Sequence, residues 1–234
     1  MEKSDLQSKF VGALIGSALG DSIGELAFRF HERNDLISEV SNRTSITYTD
    51  DTAMAIGLAE SILENEGEII PEKLGQTFHR NFNREPYRGY GSGPPSIFRT
   101  VENTGENYVE VAQRLFEGEG SYGNGASMRI TPLGVFFYDS KEIYEIARKS
   151  AIVTHSHEYG IDAAAILAKL IATLIPKNPS IYSIQKHLTA LTDDLIEFAK
   201  TDEYEKSLQE VKDLLNSNAH IKDAERKLGS NVLA

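Results

Sequence analysis

The stretch Thr49-Asp50-Asp51-Thr52 runs directly into Ala53-Met54-Ala55-Ile56-Gly57-Leu58-Ala59. The second part has the apolar period of a helix, so the four polar residues stand at a helix mouth. Two adjacent carboxylates flanked by two hydroxyls form a compact set of hard oxygen donors, of the kind that suits Mg²⁺ or Mn²⁺. The same residues also suit a plain helix start, where Thr or Asp caps free N–H groups and acids favour the positive end of the dipole. A cap needs one such residue and here there are four. At this point both readings stand.

Working outward, the period stays helical almost throughout. Leu6, Phe10, Val11, Leu14, Ile15, Ala18 and Leu19 fall on one broad face. Gly12, Gly16 and Gly20, spaced by four, predict a strip where another backbone packs closely inside the domain. Pro71 opens a further helix with Leu74, Phe78 and Phe82 on its inner side. Helices are predicted over 94–103, 107–117, 130–138, 141–153, 158–176, 181–200, 203–216 and 219–228, with a polar loop at 176–180. Only Ser45-Ile46-Thr47-Tyr48 alternates like a strand. The expectation is an all-α protein, a compact orthogonal helical bundle in one domain without internal repeats.

Composition narrows the function classes. With 234 residues the chain can bury a sizeable core. Its formal charge of -11 argues against non-specific binding to nucleic acid or to an anionic membrane, since both need clustered positive charge. The absence of Cys removes disulfides, thiolate zinc sites and cysteine nucleophiles, and fits a reducing cytoplasm. The polar opening Met1-Glu2-Lys3-Ser4-Asp5 lacks the order of a signal peptide. The longest apolar run, 161–175, is interrupted by Asp162 and Lys169 and is short of the roughly 20 residues of a membrane span, so it reads as a buried core helix.

A second signal is Gly118-Glu119-Gly120-Ser121-Tyr122-Gly123-Asn124-Gly125-Ala126-Ser127-Met128-Arg129. Four glycines before an expected helix allow successive N–H groups to point at one anion. It is neither a Walker loop nor a dinucleotide fingerprint, and its bland alternative is a surface turn. Arg88-Gly89-Tyr90-Gly91-Ser92-Gly93-Pro94 is another glycine loop opening a helix, and can form a second wall of the same site. Thr154-His155-Ser156-His157 lies at a junction between two helices, where a His is more often a cap or a core residue than a ligand contact. Phe116 and Tyr122 flank the main loop and can stack on a base, although core packing is the default for Phe116.

In this order, Gly20-Asp21-Ser22-Ile23-Gly24, Thr49-Asp50-Asp51-Thr52, Arg88-Gly89-Tyr90-Gly91, Gly120-Ser121-Tyr122-Gly123-Asn124-Gly125 with Met128-Arg129, and Thr154-His155 resemble the motifs of the ADP-ribosylglycohydrolase family, and most of all its serine-type ADP-ribosyl hydrolases. The resemblance covers nearly the whole chain. It implies an all-α fold with two Mg²⁺ ions at the base of a cleft, and hydrolysis of the bond between ADP-ribose and a protein side chain. Carried over by motif, Thr49, Asp50 and Asp51 are implied metal ligands, with Asp50 also implied in catalysis. Gly120, Ser121, Tyr122, Gly123 and Asn124 would hold the diphosphate and adenosine side of ADP-ribose, Phe116 would pack near the adenine, and His155 would supply a polar contact.

Two departures accompany the resemblance. Many relatives carry a glutamate seven positions after the Asp of the Gly-Asp motif, where this chain has Phe28; Glu25 is the substitute candidate for acid or base, with an exposed helix-end acid as its plainer reading. Relatives also carry a second metal motif, Asp-x-Asp-Thr, near their C-terminus, whereas this chain stops at Lys227-Leu228-Gly229-Ser230-Asn231-Val232-Leu233-Ala234. Thr192-Asp193-Asp194 mimics the first motif but reads as a solvated helix face. The expectation is a C-terminally incomplete domain with some apolar surface uncovered. It is either an ADP-ribosyl hydrolase or a non-catalytic, ADP-ribose-binding or crystallin-like relative.

Overall fold

The computed structural model describes residues 3–178 and 182–229. The first two residues, the end of the polar stretch 176–180, the first residue of the predicted segment 181–200 and the run after Gly229 lie outside the described residues. The chain forms α1 (Lys3–Ala27), α2 (Arg33–Asn42), α3 (Asp50–Glu64), α4 (Pro71–Arg84), α5 (Gly93–Thr104), α6 (Tyr108–Gln113), α7 (Thr131–Phe136), α8 (Ile143–Ala151), α9 (Glu158–Leu174), α10 (Ile184–Phe198), α11 (Asp202–Asn216) and α12 (Ile221–Leu228). Two short 3-10 turns, Phe116–Gly118 and Asn124–Ala126, bracket the main glycine loop. No strand occurs among the described residues, and the all-α expectation holds.

The core forms where α3, α4, α5, α6, α7, α8 and α9 converge. Leu58, Leu74, Ile97, Ile130, Leu133 and Val153 are fully buried there, with Phe78 and Phe98 nearly so. α4 follows its pattern: Pro71 sits in the first turn and Leu74 and Phe78 face inward. α9 is the buried core helix its apolar run predicts, through Ala164, Ala165, Ala168 and Ala172. Its interrupting Asp162 is buried as well. Its carboxylate accepts from Tyr144 O–H, from the N–H groups of Lys200 and Thr201 and from Thr201 Oγ1, so it ties α8 and the start of α11 to α9.

Several expectations are corrected. Ser45-Ile46-Thr47-Tyr48 forms no strand, because nothing pairs with it; Arg88 instead donates to the Tyr48 carbonyl at 3.1 Å and stacks 3.7 Å from the Tyr48 ring. The helix predicted over 107–117 stops at Gln113, since Phe116 and Glu117 adopt left-handed φ of 53° and 62°. α2 was not anticipated, and it buries none of its residues.

The largest correction concerns α1. A Cβ added at Gly12, Gly16 or Gly20 would meet nothing within 4 Å, so the glycine strip packs against no backbone among the described residues. Val11, Leu14, Ile15 and Leu19 on the same helix are exposed. α1 is held at other points. Lys9 Nζ donates to the Ile175 and Lys177 carbonyls at the end of α9, where a cation also suits the helix dipole. Phe10 packs edge-on against Tyr138, with ring centroids 5.9 Å apart. By length and composition Asp5–Ala27 is apolar enough to cross a membrane, a feature the sequence reading did not single out.

Candidate functional site

The start of α3 is built by a residue from α1. Thr49 occupies the N-cap position in extended backbone but makes no capping bond with its own side chain. Asp21 takes that role. Its carboxylate accepts from Thr49 N–H at 2.9 Å, from Thr52 N–H at 3.1 Å, and from both threonine hydroxyls. A hydroxyl has one hydrogen, so the lone pairs of Thr49 Oγ1 are left as acceptors.

Asp50 and Asp51 follow in the first turn, half-buried. Burial first, then the neighbouring charges of Asp51 and Asp21, push Asp50 up to about 6. Burial and Asp21 raise Asp51 in the same direction. Among the described residues no Lys or Arg forms an ion pair with either carboxylate. Desolvated, mutually repelling carboxylates beside an acceptor hydroxyl fit one side of a hard divalent cation. They do not enclose one: among the described residues no three Asp, Glu or His side chains converge on a common point.

The second glycine loop lies against this helix start. The Gly91 backbone donates to Asp50, and a Cβ at Gly89, whose φ is 88°, would stand 3.9 Å from Asp50 Oδ1. Tyr90 is half-buried, and its burial and then the Asp50 charge push its hydroxyl up to about 12. A cavity of about 310 Å³ opens beside Thr49, lined among others by Glu25, Arg29, Tyr48, Arg88 and Gly89. Glu25 therefore shares the cavity with Thr49, half-exposed and 3.6 Å from Arg29 in the turn that follows α1.

The main glycine loop is built differently from the expectation. No α-helix opens directly after it; the 3-10 turn Asn124–Ala126 follows, and α7 begins only at Thr131. The start of α9 abuts the loop instead, where His157 N–H donates to the Ser121 carbonyl at 3.3 Å. Gly160 permits this approach, since a Cβ there would lie 3.0 Å from Ser121 O. Gly120 is required twice over: its φ is 74° and a Cβ would stand 2.2 Å from Ser156 Oγ. Ser121 is buried and receives Gly123 N–H on its hydroxyl, while Tyr122 and Asn124 face solvent. Tyr122 packs edge-on against His157 at 5.5 Å. Phe116 is 58% exposed, so the core-packing default does not describe it.

His155 lies beneath this loop. A Cβ at Gly125 would come within 2.3 Å of its Cε1 and 2.6 Å of its Nε2. Its Nδ1 is 2.8 Å from Thr154 Oγ1, which accepts from the fully buried Arg129 at 2.8 Å. Burial and the Arg129 charge lower His155 to about 3. Arg129 also reaches Met54 Sδ at 3.8 Å, one turn along α3 from Asp50, so the two halves of the site meet through it. The sequence reading missed Arg129 and Asp21 as site-building residues, although both stand inside the quoted motifs. Thr192-Asp193-Asp194 sits within α10, where Asp194 is exposed and Asp193 pairs with Lys212 at 2.6 Å, while Thr192 is buried, so the reading as a solvated helix face holds only for the two acids.

The helical bundle agrees with what sequence and structure comparison shows: this chain belongs to the ADP-ribosylglycohydrolase family, whose profile matches residues 2–233. ADP-ribosylhydrolase ARH3 of Xenopus tropicalis is 33% identical over 211 residues, covering 85% of this chain and 57% of that protein. The human ADP-ribosylhydrolase ARH3 is 31% identical over 204 residues, covering 80% and 56%. The chain thus spans less than two thirds of the length of these relatives. A solved chain described as an ADP-ribosylglycohydrolase-related protein complex shares the fold, with a TM-score of 0.56 at 23% identity over 81% of this chain and 62% of that one.

Proposed function

We propose that this chain carries the ADP-ribose-binding face and one side of the metal site of a Mg²⁺-dependent hydrolase that removes ADP-ribose from modified protein side chains. The observation that supports this most directly is the pair Asp50 and Asp51: desolvated, without a basic partner among the described residues, and next to a Thr49 hydroxyl whose hydrogen is already committed to Asp21. When bound there, a divalent cation would hold ribose hydroxyls and lower the pKa of a coordinated water. Thr49, Asp50 and Asp51 are its proposed ligands, and Mn²⁺ suits the same donors.

The other roles follow from position. Glu25, in the cavity beside Thr49, is the candidate to hold or move a proton at its carboxylate. Gly120, Ser121, Gly123 and Asn124 form the backbone cradle for the diphosphate, with His155 beneath it. Tyr122 and Phe116 offer exposed rings to the adenine. The proposed setting is the cytoplasm, without nucleic-acid or membrane partners.

A second reading, a non-catalytic ADP-ribose binder or crystallin-like relative, is favoured by one observation: among the described residues no three Asp, Glu or His side chains come together to hold an ion. Calorimetric titration with ADP-ribose, in Mg²⁺ and in chelator, tests the shared part of both readings. Saturable binding that strengthens with Mg²⁺ supports the first. Metal-independent binding favours the second, and no binding to the folded protein removes both.

A further inference from the structure

Arg129 has no accessible surface, and no carboxylate pairs with it among the described residues. Its Nη1 donates to Thr154 Oγ1 at 2.8 Å and its Nη2 to the Ser150 carbonyl at 2.9 Å, while the guanidinium lies 4.6 Å from the centre of the Phe78 ring. Its Nε finds no acceptor. A buried cation with an unused donor and no counter-ion is costly, and a fold retains one only where other terms offset the cost.

The bonds around it have a direction. A guanidinium can only donate, so Thr154 Oγ1 accepts from Arg129. Thr154 is itself fully buried, and the other polar atom in contact with its hydroxyl is His155 Nδ1, at 2.8 Å. The hydroxyl hydrogen therefore points at Nδ1, and the ring proton resides on Nε2. If Nδ1 carried the hydrogen instead, Oγ1 would accept twice and its own buried hydrogen would find no acceptor among the described hydrogen bonds. Nε2 is turned toward the glycine loop, 2.6 Å from where a Cβ on Gly125 would stand and 3.6 Å from one on Gly123.

We propose that Arg129 and Thr154 are positioning residues that lock His155 in its Nε2–H tautomer, making the ring a fixed hydrogen-bond donor aimed at the loop that receives the diphosphate of a nucleotide sugar. This rests on reading the loop as the ADP-ribose site. Burial and the Arg129 charge keep the ring from gaining a second proton near neutrality. The loop backbone then needs no positive side chain at its surface to complete its set of donors, and Arg129 places its charge behind the ring.

The test combines ¹⁵N NMR of the His155 ring with calorimetric ADP-ribose binding, for the wild type, Thr154→Val and Thr154→Ser. The wild type is expected to show the Nε2–H signature, and Thr154→Ser, which keeps the hydroxyl, to match it. Thr154→Val is expected to give mixed tautomers and to weaken ADP-ribose binding by about tenfold. An Nδ1–H signature in the wild type overturns the proposal, as does a Thr154→Val protein with wild-type tautomer and affinity. Should Thr154→Val fail to fold, the wild-type and Thr154→Ser spectra decide on their own. A wild type with the Nε2–H signature that binds no ADP-ribose upholds the lock and overturns the reading of the loop.

Discussion

Asp21 and Thr49, 28 residues apart, share two hydrogen bonds: the Asp21 carboxylate accepts both the backbone N–H and the hydroxyl of Thr49. Two more come from Thr52, so one side chain of α1 caps the first turn of α3 and orients the residues that bracket Asp50 and Asp51. Asp162 holds the residues that precede α11, accepting from Lys200 N–H and from the N–H and hydroxyl of Thr201, while the Thr201 hydroxyl itself caps that helix. Both carboxylates bind the residue that precedes a helix, and only Asp21 also binds a first-turn N–H.

Asp21→Asn puts an amide N–H₂ among groups that all donate. Loss of the cap is expected to cost about 2 kcal/mol, a fall in Tm of roughly 4–8 °C for a chain of this size. Mn²⁺ affinity, followed by electron paramagnetic resonance, is expected to drop by about tenfold as Thr49 Oγ1 loses its orientation. Asp162→Asn is expected to lower Tm similarly and leave Mn²⁺ binding alone. Equal Mn²⁺ affinities in the wild type and Asp21→Asn would sink the positioning role.

The acidic pair sets a pH dependence. Asp50 has a folded pKa of about 6 against an ordinary 3.8, so between these values the folded state holds more protons than the unfolded. Its contribution to stability is therefore greatest at low pH and is lost as pH rises through about 6. His155 works in the opposite sense: lowered to about 3 from 6.5, it costs stability as pH falls below 6.5. The difference between the wild type and Asp50→Asn isolates the carboxylate. In chelator, Asp50→Asn is expected to gain more Tm relative to the wild type at pH 7.5 than at pH 5, which lies inside the window between 3.8 and about 6 where the penalty builds up. Mg²⁺ is expected to raise the wild-type Tm more at pH 7.5 than at pH 5.

Two glycines separate binding from folding. At Gly125 a Cβ would collide with the His155 ring, at 2.3 Å, whereas at Gly75 it would collide with Tyr108 Cγ in the core, at 2.5 Å. Gly125→Ala is expected to displace His155 and weaken ADP-ribose binding by about tenfold or more. Gly75→Ala is expected to cost about 1–3 kcal/mol of stability by overpacking, with ADP-ribose affinity intact in the folded fraction. Melting curves and calorimetry on both proteins check this, and a reversal of the two patterns would contradict the placing of the site.

Tyr122 is 63% exposed, with a His157 edge contact as its described ring partner. Tyr122→Ala is expected to change stability by no more than about 0.5 kcal/mol. If the ring stacks on adenine, the same substitution weakens ADP-ribose binding by about tenfold. It would leave the binding of ribose 5-phosphate, which has no base, unchanged. Equal losses for both ligands would assign Tyr122 to the phosphate side instead.

The legible parts of this protein are those written in local period. α3, α4, α5 and α9 announce themselves because their apolar residues recur on one face and meet a core. α2 does not, since it buries nothing and so carries no apolar stripe. The alternation at 45–48 misleads because Tyr48 is held by Arg88, which stacks on its ring and donates to its carbonyl, and not by a sheet. Glycine spacing in α1 shows that a backbone can approach without saying that one does. In the site, the acidic motif and the glycine loop are legible as residue types. Asp21 and Arg129 act across 28 and 25 residues of sequence, so neither local spacing nor charge reveals that one caps α3 and the other lies buried beneath the loop.

The proposed activity is turnover of an ADP-ribosyl bond, with Asp50 as a proposed metal ligand. It is tested most directly by release of ADP-ribose from a serine-ADP-ribosylated peptide, measured in Mg²⁺ and in chelator. Release that requires Mg²⁺ and is lost in Asp50→Ala is the expected result. Absence of release from folded protein that still binds ADP-ribose would contradict it and leave a binding protein in the enzyme's place.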